Sequence, residues 1–142
     1  MTTDYQFYEG TWVYRSLLND PDISKEFNDL RFGSGIITFG NISYDQILDG
    51  KLDMGSGYEL LLRGELQRNF GEIVGIRWTG TGITGTPTEG WVYDYRGERT
   101  LDWSGATEQA DVIVGSVIRT VAHGGAPAGF SGTFYMVKHP QE

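Results

Sequence analysis

Aromatic side chains that carry a hydrogen-bonding group are the residues of this chain best suited to chemistry. The chain has 142 residues, among them four tryptophans and eight tyrosines, whose N–H and O–H groups need polar partners when buried. A bound small molecule supplies such partners, whereas a core filled for packing alone favours Leu, Ile and Val. The predicted ligand-binding residues are eight aromatics that can share one face of their strands: Trp12, Tyr14, Tyr58, Trp78, Trp91, Tyr93, Tyr95 and Phe134.

Two of these tyrosines also define an alternative, in which the same cavity catalyses a reaction. A shaped apolar cavity can hold a flexible substrate in a reactive conformation, and a tyrosine can supply one proton or hydrogen bond. Tyr93 and Tyr14 are the catalytic candidates for this chemistry, which needs no cofactor. Whether the chain is an enzyme stays open at this point.

Histidine and cysteine usage predicts neither a metal site nor thiol chemistry. The chain has no cysteine, which excludes disulfides, thiolate nucleophiles and thiolate metal ligands. Its two histidines, His123 and His139, lack the His-x-His or His-Glu-x-x-His spacing of a metal site. His123 is either a solvated hairpin residue before Gly124 or an acid or base at a barrel rim. No serine elbow or Ser-His-Asp order is evident, so hydrolase chemistry is unsupported.

A glycine-rich stretch at residues 80–85 matches the spacing of the dinucleotide-binding fingerprint. That fingerprint needs a helix after it, whose N-terminus receives the pyrophosphate. Here Thr86-Pro87-Thr88 and an aromatic strand beginning near Trp91 follow instead. We therefore expect a glycine-rich hairpin and no cofactor.

The charge balance limits the partners of the chain. Nineteen acidic and 11 basic residues give a net charge of −8, which repels nucleic-acid phosphates and anionic membrane surfaces alike. The first residues contain neither a basic segment nor a continuous apolar run, so a cytoplasmic protein is expected. The length predicts one domain, residues 1–142.

Short β-branched and aromatic segments between glycine-rich or polar breaks predict an all-β fold. The eight predicted strands are Glu9 to Leu18, Arg31 to Phe39, Tyr44 to Asp53, Tyr58 to Gln67, Gly71 to Gly80, Thr88 to Gly97, Ala110 to Ala122 and Gly129 to Lys138. Residues 19–30 could form one or two helical turns, and residues 97–109 form the longest loop. Alternating apolar and polar residues predict antiparallel strands with one buried face, which can close into a single eight-stranded up-and-down barrel.

Two motifs carry a resemblance to a known superfamily. The first strand contains Gly10-Thr11-Trp12, and Arg119 stands late in the chain. This pattern resembles the calycin superfamily, whose members include lipocalins, fatty-acid-binding proteins and avidins and carry a late arginine packed over the Gly-x-Trp tryptophan. The resemblance implies a structural contact between Trp12 and Arg119. In the lipocalin pattern the arginine lies in the last strand, whereas here a further strand follows it. Barrels resembling allene oxide cyclase have a similar size and strand number, and no reaction is implied.

The sequence thus leaves two main functional hypotheses, beside a third in which the chain is a purely structural oligomeric barrel with a filled interior. The first is a barrel that binds a small, largely apolar or aromatic molecule in its interior pocket. The second is a cofactor-free isomerase or cyclase that acts on a small apolar substrate in the same cavity.

A homodimer is also expected, because the strand at residues 110–122 is apolar on both faces. Val112, Val114 and Ile118 alternate with Ile113, Val117 and Val121, and only one set can face the interior. The other set would leave an exposed apolar patch, which a second subunit can cover. The alternative is that residues 19–30 or the N-terminal Tyr5, Phe7 and Tyr8 cover this patch within one chain.

Overall fold

Nearly all regular structure in this protein is β-strand. A computed structural model describes residues 5–139. The elements are helix α1 (Tyr5–Tyr8), a 3-10 turn at Phe27–Leu30, and strands β1 (Gly10–Leu18), β2 (Arg31–Phe39), β3 (Ile42–Ser43), β4 (Gln46–Asp53), β5 (Glu59–Asn69), β6 (Glu72–Gly82), β7 (Val92–Arg99), β8 (Val112–Val121) and β9 (Ser131–Lys138).

Hydrogen bonding closes eight of these strands into one ring. Strands β4 to β9 pair antiparallel with their neighbours in chain order, and β9 then pairs with β1 and β1 with β2. The pairing of β2 with β4 completes the ring, while the two-residue β3 pairs with β4 outside it. The predicted closed eight-stranded antiparallel up-and-down barrel is confirmed.

The elements that the sequence did not predict are short. Helix α1 and strand β3 have four and two residues, too few to show a hydrophobic period. Within residues 19–30 helical structure is limited to the 3-10 turn. The loop between β7 and β8 spans residues 100–111, close to the predicted 97–109.

Glycines inside the strands make room for the aromatic rings of the core. Four interior rings lie directly opposite a glycine on the neighbouring strand, in the pairs Tyr14 with Gly35, Trp78 with Gly64, Tyr93 with Gly80, and Phe134 with Gly115. A Cβ atom at Gly64 would lie 1.9 Å from the carbonyl oxygen of Arg77, and one at Gly115 would lie 1.8 Å from that of Arg96. The strands therefore approach too closely here for any side chain. The glycine excess serves the barrel wall as well as the turns.

Helix α1 and Lys138 close one end of the barrel. Trp12 is fully buried there, and its indole N–H donates to the carbonyl of Tyr8 at 3.0 Å. Lys138 lies opposite Trp12 in the pairing of β1 with β9, with its ammonium 4.9 Å from the centre of the indole. That ammonium also donates to the backbone carbonyls of Gln6 (3.0 Å), Phe7 (2.5 Å) and Glu9. We call this arrangement the closed end.

The expected contact between Trp12 and Arg119 is wrong. Arg119 lies near the far end of β8, beside the loop that leads into β9, whereas Trp12 lies near the start of β1. Because β9 runs antiparallel to both strands, the end of β9 reaches Trp12 and the start of β9 reaches the Arg119 region. The cation over Trp12 is therefore Lys138, in the last strand.

Polar and charged side chains cover much of the outer wall. Arg77 pairs with Glu65 across β5 and β6, and Asp94 accepts hydrogen bonds from Thr79 at 2.6 Å and Thr120 at 2.7 Å. Arg77 and Asp94 therefore lie on the outer wall of the barrel.

Candidate functional site

The end of the barrel opposite Trp12, here called the mouth, combines partly exposed aromatic rings with a chain of polar groups. Tyr58, Trp91, Tyr93, Arg119 and His123 meet there. Tyr58 is 40% exposed and Trp91 partly exposed, whereas the Tyr93 ring is 9% exposed. The exposure of the rings therefore decreases from Tyr58 at the rim to the nearly buried Tyr93.

Two loops hold these side chains in place. Loop 83–91 is fixed by the fully buried Thr88, whose hydroxyl donates to the carbonyl of Glu59 at 2.7 Å. The N–H of Gly82 donates to the carbonyl of Trp91 at 2.8 Å. In the loop between β8 and β9, His123 and Ala126 exchange two backbone hydrogen bonds of 3.0 and 2.8 Å. Trp91 and His123 are thus both anchored by backbone hydrogen bonds rather than left to solvent.

Stacking and hydrogen bonds join the polar groups of the mouth into one side-chain network. The His123 ring stacks on Trp91 with 4.0 Å between centres and an angle of 16°. Nε2 of His123 lies 2.7 Å from the Tyr93 hydroxyl, and Nε of Arg119 donates to the same hydroxyl at 2.9 Å. His123 is therefore part of a side-chain network and not a solvated hairpin residue.

The geometry fixes the direction of the hydrogen bond between Arg119 and Tyr93. Because Arg119 can only donate, the Tyr93 oxygen accepts from it, and the phenol proton is then available for a hydrogen bond to Nε2 of His123. That bond requires a neutral His123 with its proton on Nδ1. Partial burial, together with the nearby charge of Arg119, lowers the pKa of His123 below its ordinary value. A neutral His123 can therefore accept the phenol proton of Tyr93 at Nε2.

Arg119 lies in an aromatic and backbone environment. Its guanidinium carbon is 5.1 Å from the centre of Phe32, 5.6 Å from Tyr93 and 5.9 Å from Phe130. Nη1 donates to the carbonyl of Pro127 at 3.1 Å. The ion pairs between described residues do not include Arg119. Its positive charge therefore acts on the mouth without a carboxylate to neutralise it.

The structure divides the eight predicted ligand-binding residues among three levels of the barrel. Trp12 belongs to the closed end, and Tyr58, Trp91 and Tyr93 belong to the mouth. The middle level consists of Tyr14, Trp78, Tyr95 and Phe134.

The four rings of the middle level touch one another. Trp78 stacks on Tyr95 with 5.0 Å between centres, and Tyr14 lies 5.6 Å from Phe134 and 6.0 Å from Tyr95. Burial raises the pKa of both tyrosines, so their phenols stay protonated. Among the described residues, the Trp78 indole N–H is the buried side-chain donor left without a partner.

Sequence reasoning named Tyr93 but missed its partners. His123 and Arg119 are separated from Tyr93 by 30 and 26 residues, and only the pairing of β7 with β8 brings them together. The sequence shows an aromatic residue near the start of β7 and a histidine shortly after β8. It does not show the register in which β7 pairs with β8.

The remaining features are the glycine-rich stretch at residues 80–85, metal ligation and membrane-spanning helices. The stretch 80–85 is the end of β6 and a turn, and the described chain continues from it into β7 without a helix. Within residues 5–139, no group of three or more His, Asp or Glu side chains is placed to hold a metal ion. The helices of that range are also too short to cross a membrane.

Comparison with family models, curated proteins and solved structures finds no match.

Proposed function

We propose that this barrel binds a small, planar, largely apolar or aromatic molecule at its mouth. The observation that carries the proposal is the Trp91 and His123 stack beside the hydrogen-bonded Tyr93 hydroxyl. A flat ligand can cover such an aromatic face, while a nearby polar group fixes its orientation.

The mouth is favoured over the middle level because its rings retain exposed surface. Tyr58 is 40% exposed, whereas the rings of Tyr14, Trp78 and Tyr95 are at most 3% exposed and pack against one another. A ligand in the middle level would have to displace those rings. One at the mouth covers Tyr58 and Trp91 without such a rearrangement.

Isothermal titration with naphthamide, a neutral planar probe, tests the proposal. We expect saturable binding that weakens about tenfold in Trp91→Ala, since a lost aromatic contact is worth roughly 1 kcal/mol or more. Trp103→Ala is the matched control, because Trp103 is 70% exposed in the loop between β7 and β8, at the closed end. Equal affinity of the two variants, or no binding to the parent, contradicts the proposal.

The closed end supports a relationship to the calycin superfamily as a second proposal. Trp12 follows the Gly-x-Trp pattern, and a cation of the last strand covers it, as in the lipocalin arrangement. Homologous sequences would test this, because Trp12 and a basic residue at position 138 should occur together. Loss of one without the other in most homologues would contradict it.

We also propose that two copies associate through the outer face of β8. Ile118 is 41% exposed, and Val112 and Val114 are partly exposed beside the 38%-exposed Tyr135 of β9. Sedimentation equilibrium should show a dimer that Val114→Asp dissociates. Leu61→Asp, at a 48%-exposed position on the outer face of β5, is the control. A single 15.8 kDa species for the parent contradicts the dimer.

A further inference from the structure

We infer that the mouth is also a catalytic site for proton transfer, in which Tyr93 moves a proton to and from a carbon atom next to a carbonyl group. The substrate class is a small ketone in which one CH2 group separates an aromatic ring from the carbonyl, so that loss of a CH2 proton gives an enolate. This inference rests on the proposed binding of a planar aromatic molecule at the same place.

The first argument is that Tyr93 has both partners that a phenol needs in order to act as a base. Nε2 of His123, at 2.7 Å, can take the phenol proton. Nε of Arg119, at 2.9 Å, donates to the oxygen and stabilises the negative charge that develops on it.

The second argument is that the network is poised at the surface of the mouth and not sealed in the core. Tyr93 is nearly buried, but Trp91 and His123 are only partly buried. The Trp91 and Tyr93 ring centres are 6.3 Å apart, so a ligand in contact with the Trp91 ring is also near Tyr93. General-base catalysis requires the substrate carbon to come within about 3 Å of the Tyr93 oxygen in the bound complex.

The third argument is the state of charge of the network. His123 accepts the phenol proton only if it is neutral at rest, and burial and Arg119 both favour the neutral form. Arg119 keeps a fixed positive charge, and its Nη2 makes no hydrogen bond to the described part of the chain. That N–H group is free to face the oxygen of an enolate.

The inferred step balances without a cofactor. The C–H bond next to the carbonyl breaks, an O–H bond forms on Tyr93, and the original phenol proton passes to Nε2 of His123. The electron pair of the broken bond becomes the enolate, and the imidazolium carries the matching positive charge. The reverse transfer returns a proton to the same carbon or, in an unsaturated ketone, to the far end of the conjugated system. The net reaction is an exchange or an isomerisation.

Deuterium exchange of naphthylacetone in D2O, followed by proton NMR, tests the inference. We expect the protein to accelerate loss of the signal from the protons between the ring and the carbonyl. Tyr93→Phe should reduce the acceleration about 100-fold, the usual scale of general acid–base catalysis. Tyr44→Phe is the matched control, because Tyr44 is 92% exposed and follows β3 directly.

His123 acts through Tyr93, so its test needs a readout that a structural role would not move. His123→Ala should lose the acceleration, and added imidazole should restore part of it by accepting the phenol proton. Restoration in His123→Ala but not in Tyr93→Phe supports the proton path. Equal stimulation of both variants by imidazole contradicts it.

The outcomes separate this inference from the binding proposal. Binding of naphthamide with exchange of naphthylacetone no faster than in buffer overturns the catalytic inference alone. Absence of binding by both compounds overturns the proposed function as well. Acceleration that survives in Tyr93→Phe shows that another group is the base.

Discussion

Removal of the Lys138 ammonium should destabilise the barrel strongly, although the side chain stands in the last strand. Lys138→Met keeps the length and apolar stem of the side chain and deletes the charge. It thereby removes hydrogen bonds to the carbonyls of Gln6, Phe7 and Glu9 and the contact with the Trp12 ring. Helix α1 then loses the link that holds it to β9.

The size of the effect follows from these contacts. Hydrogen bonds to a charged group contribute about 1.5–3 kcal/mol each, and a cation over an aromatic ring contributes about 0.5–2 kcal/mol. The three bonds share one ammonium, and burial lowers the pKa of Lys138, which shows that its charge is desolvated at a cost. We therefore expect a net loss of about 2–4 kcal/mol, well below the sum of the contacts.

Chemical and thermal denaturation measure this loss. For a domain of this length about 4 °C of melting temperature corresponds to 1 kcal/mol, so Lys138→Met should melt about 8–16 °C below the parent. Lys51→Met is the matched control, because Lys51 is an exposed lysine on β4 outside the hydrogen bonds and ion pairs of the described residues. If both variants melt within two degrees or so of the parent, the reasoning about the closed end is refuted.

Three further predictions concern the core, the wall and the mouth. Trp12→Ala should lower the free energy of unfolding by about 3–5 kcal/mol in urea titrations, since it removes a fully buried indole; a change below about 1 kcal/mol would contradict this. Gly115→Ala should lower the free energy of unfolding by at least about 1–3 kcal/mol in the same assay, because the new Cβ would overlap the carbonyl oxygen of Arg96. Gly125→Ala is the control: its Cβ meets no atom within 4 Å, so the free energy of unfolding should hardly change. His123 has a lowered pKa when folded, so the native state binds fewer protons than the unfolded state; its contribution to stability is present above about pH 6.5 and is lost as the pH falls towards the folded-state pKa. His123→Gln should flatten this part of the curve of unfolding free energy against pH, and an unchanged slope would count against the neutral His123.

The strands were predictable from the sequence because their signal is local. In β5, Leu60, Leu62 and Leu66 share one face while Glu59, Arg63 and Glu65 share the other, and the structure buries all three leucines. The period of two is set by the geometry of each strand alone, whatever its partners are. Eight strands with this pattern and few helical segments leave a closed barrel as the natural arrangement.

The long-range contacts were not predictable in the same way. Arg119 and Lys138 are both basic residues on late strands, and only the antiparallel order decides which of them reaches Trp12. The pairing of Tyr93 with His123 likewise depends on the register of β7 with β8, including its irregularity between Val92 and Tyr93. A one-residue shift of register would reverse the face of every side chain on the strand.

The interior glycines show how composition can mislead. A high glycine content indicates tight turns, yet Gly64 and Gly115 lie inside strands. The sequence does contain their signal, since each glycine stands at an inward position of its strand and breaks an otherwise apolar series. The signal becomes readable only when the opposite ring, Trp78 or Phe134, is known.

The closure of the ring through β1 and β9 has a consequence for the folding kinetics. Trp12 pairs with Lys138, which is 126 positions further along the sequence, whereas β4 to β9 join through hairpins between consecutive strands. Contacts between distant segments require the largest loss of chain entropy, so the hairpins can form first and the seam between β1 and β9 last. Interactions that appear after the rate-limiting step alter the unfolding rate and leave the folding rate nearly unchanged. The ammonium of Lys138 would then act as a latch on an assembled barrel, setting how long the native state persists rather than how fast it is reached.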